Sequence, residues 1–537
     1  MEGVLEIVAV TVLGLVVIAA AAVLAPKLGV AAPLVLVLVG LALAVTPGID
    51  DVEVEAEWIL QGLLPPLLYA SAVSMPAMNF RREFGVIGGL SVLLVVGSAV
   101  VLGLLFAWLI PDLGFVWGVA LGAIVSPTDA VATSIIKGTS VPRRAVVILD
   151  GESLLNDATA LVLLRTAIVA TAAAFSFWGT LGTFAYAIAV AVVVGAVVGR
   201  VNLAVRRRVE DATVNTILSF TVPFVAAVPA ELLGSSGLVA AVVAGLVTGY
   251  RGPRVLPPSH RMSDAQNWAM VELVLEGVVF LGMGLQLSTV LGGMRTGVGE
   301  AVGIAAGALA VTLLVRAGYV APLLWGLRRR ASRWRERQPH IAKMGERLDA
   351  GDLTPLRGRR PSERRARRLA TRVRRSLADI DYLLDHPLGL REGVVVVWAG
   401  MRGAVTVAAA QTLPEDAPHR PLLVFVAFAV ATLSLLVQGG TVGPLVKILF
   451  RNRAEDGSEQ DDERRQILAL LQETAHGISR SSDMSVKQHK LAIVKAQRDA
   501  LLDARDDGVF DADTLSNALR TLDAAQLTLE LRGGPNG

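Results

Sequence analysis

The chain contains no cysteine, and its charged and aromatic residues are sparse. Charged residues make up 18% of the 537 residues and aromatic residues 5%, whereas hydrophobic residues reach 53%. Without cysteine, disulfide bonds, thiol catalysis and cysteine-based metal sites are excluded. None of the six histidines lies inside an apolar segment, which disfavours a buried histidine metal site. The mean hydropathy of +0.58 is typical of polytopic membrane proteins and not of soluble globular ones.

Long apolar segments are the main feature of the sequence. A helix needs about 20 apolar residues to cross about 30 Å of hydrocarbon. No basic region precedes the first segment, which is the pattern of a retained span and not of a cleaved signal peptide. We therefore predict an all-α polytopic membrane protein with thirteen transmembrane helices in a domain at 1–450. The predicted spans are 4–25, 30–46, 58–78, 85–110, 114–136, 145–174, 179–205, 213–233, 237–250, 264–290, 298–326, 393–412 and 420–450.

The connections between these spans alternate in charge. One set carries Lys and Arg, and the other contains the acidic run Asp50–Glu55 and almost no basic residue. By the positive-inside rule the basic set is cytoplasmic. We expect a multi-pass protein of the cell (plasma) membrane with its N-terminus outside and its tail inside, which agrees with an odd number of spans. The basic set comprises Lys27, Arg81, Arg82, Lys137, Arg143, Arg144, Arg206, Arg207, Arg208, Arg251, Arg254 and Arg261.

Two of the predicted spans are interrupted. Thirteen spans divide as six, one and six, so the second six enter the membrane inverted. Inverted repeats are common in secondary transporters, whose sites lie at broken helices near the midplane. Ser126-Pro127-Thr128-Asp129 interrupts the fifth span, because proline removes a backbone donor and disfavours helix before it. Gly400-Met401-Arg402-Gly403 interrupts the twelfth, at the matching place in the second half, and the pair predicts a transport site.

Carboxylates inside the predicted spans identify candidate site residues. A charge at the bilayer centre costs about 2.5–3.5 kcal/mol on insertion scales and by default marks an ion or proton pathway. Ser153, Asn156 and Asp157 follow the i, i+3, i+4 spacing of one helix face. With Asp129 and Thr128 they offer the all-oxygen surroundings that hard cations favour. Competition between cation and proton at one carboxylate is the simplest antiport chemistry, although a lone aspartate can also be structural.

Glu152 and Arg316 are expected to form a buried ion pair. Glu152 precedes Asp157 by five residues, about 140° around a helix, and so points elsewhere. Arg316 lies deep in the apolar eleventh span, where an unpaired cation is costly. Glu152 is its best candidate partner.

Three other intramembrane charges have simpler interpretations. Arg402 is expected to stabilise the opened backbone or neighbouring acids, with substrate binding as the alternative. Glu272 and Glu276, on the tenth span, are interpreted as residues near its cytoplasmic start or as a structural pair and not as ligands.

Three motifs together resemble the monovalent cation:proton antiporters of the sodium/proton exchanger type. They are Ser126–Val131, Gly151–Asp157 and Gly400–Ala404. The resemblance covers about residues 1–450 and implies a six-helix core domain that moves against a dimerisation domain, in a homodimer. The Asn156-Asp157 pair resembles the electroneutral branch, since the electrogenic branch carries two consecutive aspartates.

The resemblance also implies roles for the candidate residues. Asp157 is the central carboxylate, which carries the cation or the proton, and Asn156 orients it. At the third span, where many relatives carry an acid after an aromatic residue, this chain has Ala70. The other implied roles are oxygen ligands of the monovalent cation (Asp129, Ser153, Thr128), a structural ion pair (Glu152, Arg316) and a charge at the broken twelfth helix (Arg402).

Two polar regions are predicted to be cytoplasmic. The loop at 327–392 carries 19 Lys/Arg against 8 Asp/Glu up to Arg391, a net charge of +11. Its flanking spans argue against nucleic acid as a partner; anionic lipid headgroups, at about 1 kcal/mol per basic residue, and simple topology signalling are the alternatives. The tail at 451–537 carries a net −4 and is predicted to form three helices. Its run Asp503–Gly508 lacks the ligands of a calcium loop.

These features predict a transporter and not an enzyme. We predict electroneutral antiport of a monovalent cation, sodium first, against protons, with no cofactor besides the transported ions. A potassium/proton antiporter and a cation channel are alternatives. An intramembrane aspartyl protease would need a Gly-x-Gly-Asp element, which is absent around Asp129 and Asp157.

Overall fold

The computed structural model has helices as its regular structure. It describes residues 2–28, 30–44, 46, 58–137, 139–172, 177–286, 290, 292, 297–349, 363–451, 457–480 and 484–531. Within these ranges no β-strand is present.

The first part of the chain forms eleven helices. Asp211 and Ser236 cap two of them, because their side chains accept hydrogen bonds from the amides of Val214 and Val239. The helices are α1 Glu2–Leu28, α2 Ala32–Ala44, α3 Trp58–Ser74, α4 Ala77–Leu109, α5 Phe115–Val125, α6 Val131–Ile136, α7 Arg143–Ala172, α8 Phe177–Arg206, α9 Ala212–Leu232, α10 Gly237–Val255 and α11 Pro258–Leu285.

The second part of the described chain forms eight more helices. They are α12 Val298–Asp349, α13 Glu363–Asp385, α14 Leu390–Trp398, α15 Ala404–Gln411, α16 Arg420–Leu449, α17 Gly457–His476, α18 Val486–Asp507 and α19 Ala512–Leu531.

The apolar helices make the chain a multi-pass membrane protein. Eight of the described helices are long and apolar enough to cross a membrane, and α2, α3 and α5 are shorter apolar helices. Each of the thirteen predicted spans coincides with a helix or with two short ones. The fifth is divided into α5 and α6, and the twelfth into α14 and α15, by non-helical residues.

The largest difference from the predicted boundaries is at α12. The eleventh span was expected to end at 326, yet α12 continues to Asp349 and takes up the first part of the basic loop. Arginine and glutamate are good helix formers, so the helix needs no apolar stripe to continue into water. A second basic helix, α13, follows it; residues 350–362 lie outside the described part of the chain.

The membrane helices pack as two groups. The aspartate group consists of α4–α7, α12 and α14–α16; the outer group consists of α1–α3 and α8–α11. Close backbone contacts hold helices together within each group. In the outer group, for example, a Cβ added to Gly40 of α2 would lie 3.0 Å from Cα of Gly284 on α11.

The tail helices α17–α19 share their own apolar core. Gly508 ends α18 in the left-handed conformation (φ 77°) that glycine adopts at low cost. The run Asp503–Gly508 is therefore a helix end. The core residues are Ile467, Val494, Leu501, Phe510, Leu515 and Leu522.

Candidate ion-binding site

The two non-helical interruptions contact each other in the aspartate group. The amide of Asp129 donates to the carbonyl oxygen of Met401 at 2.7 Å. That amide is therefore not available to the Val125 carbonyl, which lies four residues earlier, where a continuous helix would bond it. Instead Nε of Arg402 donates to Val125 at 3.0 Å, and Nη1 donates to the Gly400 carbonyl. Arg402, 1% exposed, thus satisfies backbone groups that the interruptions leave open.

Gly403 allows this close approach. A Cβ at this position would coincide with the carboxylate of Asp129. The amide of the adjacent Arg402 donates to Oγ of Ser434 at 3.0 Å, which fixes the same segment to α16. The Asp129 carboxylate also bonds the start of α6, since Oδ1 accepts from the amide of Val131 at 3.0 Å.

A cavity of about 1130 Å³ lies between the two helix groups. Asp129, Ser153 and Asp157 line it on the side of the aspartate group. Asp157 is 8% exposed and follows Ser153 by about one turn of α7. The structure therefore brings three of the predicted oxygen ligands to one water-accessible wall.

Thr128 and Asn156 lie behind that wall and not among the cavity residues. Nδ2 of Asn156 donates to the Thr128 hydroxyl at 2.6 Å and to its carbonyl oxygen at 3.2 Å. The Thr128 hydroxyl in turn donates to Oε1 of Glu152 at 3.3 Å. Since the amide and the hydroxyl bond each other, these two side chains hold α7 against the interruption.

Glu152 and Arg316 form a two-pronged ion pair, which joins α7 to α12. Nη2 of Arg316 lies 2.7 Å from Oε2, and Nη1 contacts Oε1. Nε donates to the carbonyl oxygen of Val396 on α14 at 2.9 Å. Both side chains are 2% exposed, so the two charges are buried and paired with each other.

The cavity has further charged residues that sequence reasoning missed. Asp150 lines it and pairs with Lys137 at 3.0 Å; its i, i+3, i+7 spacing with Ser153 and Asp157 could have revealed it. Glu272 and Glu276 of α11, interpreted above as residues near a span end or as a structural pair, also line it. Ala70 does not: it is 2% exposed and packs in an apolar cluster with Tyr69 and Trp268.

Two arginines of the predicted basic loops are buried in ion pairs. Arg144 donates from Nε to Glu83 at 2.7 Å, and Arg206 pairs with Asp264. The charge pattern of the loops does not show which acidic residues these arginines pair with. The pairs lie at the same end of the helices as the tail.

Residues of the tail form part of the cavity wall. The tail residues Asp462, Glu463, Asp511 and Asp513 belong to the cavity lining. On the aspartate group, Asp511 pairs with Arg143 of α7, and the Gly508 carbonyl accepts from Nη2 of Arg82 at 2.7 Å.

The tail also binds the outer group. Arg254 of α10 lies 2.8 Å from Asp503 and 2.7 Å from Asp506. Arg261 of α11 pairs with Asp523 through both Nε, at 3.1 Å, and Nη2. The tail therefore bridges the two helix groups and lines the cavity between them.

Comparison with known proteins agrees with the fold and the motifs. The family model described as "Sodium/hydrogen exchanger, transmembrane" matches residues 12–448. The uncharacterised Na⁺/H⁺ exchanger YjcE of Escherichia coli is 30% identical over 467 residues, which cover 82% of this chain and 76% of YjcE. The Na⁺/H⁺ antiporter NhaP of Pseudomonas aeruginosa is 27% identical over 425 residues, covering 76% of this chain and 84% of NhaP.

A solved structure shares the architecture. The sodium proton antiporter MjNhaP1 from Methanocaldococcus jannaschii, at pH 8, matches with a TM-score of 0.59 and 15% sequence identity, covering 84% of this chain and 99% of that one. This likeness shows the fold, and the sequence match across the membrane helices shows the family. The chain belongs to the sodium/hydrogen exchanger family.

Proposed function

We propose that the chain is an electroneutral antiporter that exchanges a monovalent cation, sodium first, for protons by competition at Asp157. One observation carries the proposal: Asp157 is a buried carboxylate on the wall of a cavity that it shares with Asp129 and Ser153. An intramembrane carboxylate that water can reach is accessible to both ions. The names of the related exchangers support the choice of sodium.

The chemistry follows from one exchangeable charge. Asp157 holds either a proton or a cation, and Asp129 and Ser153 complete the oxygen surroundings. Asn156 cannot ionise, and its amide already donates to Thr128. One proton therefore leaves for each cation that enters, and the cycle moves no net charge.

The arrangement in the membrane is part of the proposal. We place the N-terminus outside and the tail in the cytoplasm, with thirteen spans as two sets of six of opposite orientation and one span between them. The cavity is lined by tail residues and so faces the cytoplasm. At α15, Nε2 of Gln411 donates to Oε1 of Gln286, next to α11, at 2.5 Å, a contact between the groups that fits a closed outer side.

We further propose that the aspartate group moves as the core domain and that the outer group forms a homodimer. Exposed apolar side chains on α1 and α8, such as Val16 (59%) and Val193 (62%), support a lipid or partner surface there. The basic loop at 327–392 suits anionic lipid headgroups. The tail at 451–537 tunes exchange without being required for it.

The experiment is exchange in everted vesicles, scored as cation-induced collapse of a pH gradient. Wild-type protein should respond to sodium, and Asp157→Asn should not. Asp112→Asn is a matched control, because Asp112 lies between α4 and α5 with φ 61°, a conformation that asparagine tolerates. Exchange retained in Asp157→Asn would reject the mechanism.

The same vesicles separate the alternatives. Sodium, potassium and lithium are compared at equal concentration, and a larger response to potassium would favour the potassium/proton antiporter. A rate that follows an imposed voltage without a pH gradient would contradict electroneutrality and favour a channel.

A further inference from the structure

Two polar contacts join the helix groups on the side of Asp157 that lies away from the tail. Nη1 of Arg165 on α7 donates to Oε2 of Glu231 on α9 at 2.9 Å. Nε2 of Gln411, the last residue of α15, donates to Oε1 of Gln286, the residue after α11, at 2.5 Å. Each contact therefore has one partner in the aspartate group and one in the outer group.

Their position along the helices separates these contacts from the tail. The tail binds Arg143 at the start of α7 and Arg261 near the start of α11. Arg165 follows Arg143 by about six turns of α7, on the order of 33 Å at 1.5 Å per residue, and Asp157 lies between them. Gln286 follows Arg261 by about seven turns, at the far end of α11. The tail and the two contacts thus join the groups at opposite ends of the same helices.

Neighbouring residues hold both contacts in place. Oε1 of Glu231 accepts from the amide of Gly237, at the start of α10, at 3.2 Å, so this bond orients the other carboxylate oxygen toward Arg165. The carbonyl oxygen of Gln411 accepts from Nη2 of Arg420 at 3.1 Å, which fixes the end of α15. None of the four contact residues belongs to the cavity lining, so the cavity ends before it reaches them.

Both contacts depend on the present relative position of the groups. A hydrogen bond is lost once its donor and acceptor lie more than about 3.5 Å apart, so a displacement of one group by a few Å breaks them. Asp157 can exchange its ion with the far side only after the groups part there. Gln286 is 6% exposed, and its amide then needs water as a new partner.

We propose that Arg165–Glu231 and Gln286–Gln411 form a latch, which closes the side of the protein opposite the tail and opens once in each transport cycle. The inference rests on the proposed exchange at Asp157 and the proposed movement of the aspartate group. The Arg165 side chain is 50% exposed, and exposed pairs are weak. The latch therefore biases the equilibrium between closed and open states and does not lock it. Its residues position the groups without touching the ion.

Crosslinking tests whether the latch opens during transport. The chain contains no cysteine, so introduced cysteines are its only thiols. Gln286→Cys/Gln411→Cys, bridged by a short bifunctional methanethiosulfonate reagent, should lose exchange in vesicles and regain it on reduction. Thr216→Cys/Ser263→Cys is the matched control. Its two hydroxyls lie 3.1 Å apart and both belong to the outer group, so bridging there should leave exchange unchanged.

Thiol labelling tests the ion pair without transport. In intact cells, a membrane-impermeant maleimide added outside labels the single variant Gln286→Cys at a measurable rate. Adding Arg165→Gln should raise that rate about two- to fivefold, the effect of losing one exposed ion pair. Arg200→Gln is the matched control, because Arg200 is exposed on α8 and donates to the Ala196 carbonyl of its own helix. It should leave the rate unchanged.

Three outcomes would contradict the latch. Retained exchange in bridged Gln286→Cys/Gln411→Cys would overturn it, because the contact then stays closed during transport. An equal loss in the bridged control would overturn it too, since bridging would then act regardless of which groups it joins. An unchanged labelling rate in Arg165→Gln would reject the role of the ion pair. If wild-type vesicles show no exchange, the proposed function fails instead, and labelling alone decides on the latch.

Discussion

The amide of Asp129 donates to the carbonyl oxygen of Met401, and this 2.7 Å bond joins two interruptions from opposite halves of the chain. The bond sets the position of the Asp129 carboxylate beside the cavity. It also leaves room for only a glycine at position 403.

Gly403→Ala should therefore abolish exchange or lower it at least about tenfold, because small displacements of a positioned group have large effects. The added Cβ would occupy the place of the Asp129 carboxylate. Gly443→Ala is the control, since a Cβ there meets no atom within 4 Å. Vesicle assays at matched protein content compare the two, and normal exchange in Gly403→Ala would show that the carboxylate position is not critical.

Glu152→Gln and Arg316→Leu should each destabilise the protein by roughly 3–5 kcal/mol, because each leaves a buried charge without its partner. The double variant should recover part of the loss. Thermal unfolding of purified protein and the yield of monodisperse material measure this. Losses that simply add would reject coupling between the two side chains.

Thr128→Val keeps the shape of the side chain but removes the hydroxyl between Asn156 and Glu152. We expect a loss of about 1–3 kcal/mol in stability, because two buried hydrogen bonds are lost, although the Asn156 amide keeps its bond to the Thr128 carbonyl and Glu152 keeps Arg316. Thr128→Ser, which keeps the hydroxyl, should behave as the wild type. If Thr128 instead binds the cation directly, the valine variant will raise the KM for sodium while its unfolding temperature stays constant.

Truncation after Arg453 should leave a folded exchanger with a shifted pH or cation dependence. Asp523→Asn should act in the same direction but more weakly, because it removes only the partner of Arg261. Hydrogen exchange of α18 and α19 reports release of the tail, and vesicle assays report transport. An inserted truncated protein without exchange would make the tail part of the transport machinery.

Docking of the tail should weaken as the pH rises through the pKa of Asp513. Partial removal of Asp513 from water in the cavity wall raises this pKa most, and the neighbouring Asp511 raises it further, although Arg143 and Lys137 oppose the effect. In a free tail, Asp513 has a lower, ordinary pKa. Between the free and the docked pKa the docked state therefore binds more protons, and above both values this stabilisation of docking is lost. The side chain is 55% exposed, and the effect is correspondingly small. Asp513→Asn should flatten the pH dependence of hydrogen exchange in α19.

The sequence was most informative where residue type or local spacing decides the structure. Pro127 and the glycines around Arg402 predict interruptions, and the helical spacing of Glu152 relative to Asp157 points to Arg316. The orientation of α11 was not predictable in this way. The contact of α11 with α2 at Gly40 determines which face of α11 meets the cavity. A single sequence does not show that these two helices pack against each other.

Charge patterns likewise did not predict which arginines are buried in ion pairs. They identify the basic end of the helices, but Arg144 and Arg206 are buried because Glu83 and Asp264 come from distant helices. The end of α12 was missed for another reason: without an apolar stripe, a water-exposed helix and a basic loop have the same composition.

Helix α12 has 52 residues, and at 1.5 Å per residue it is about 78 Å long. Its first half is apolar and contains Arg316, and its second half carries most of its basic residues. A displacement of the outer end of so long a helix would be felt at the buried pair, because the two lie on one rigid element. Pro322 and Pro339 are where such a helix bends most readily. The outer end of α12 and the buried pair of Arg316 and Glu152 are therefore joined by one continuous helix.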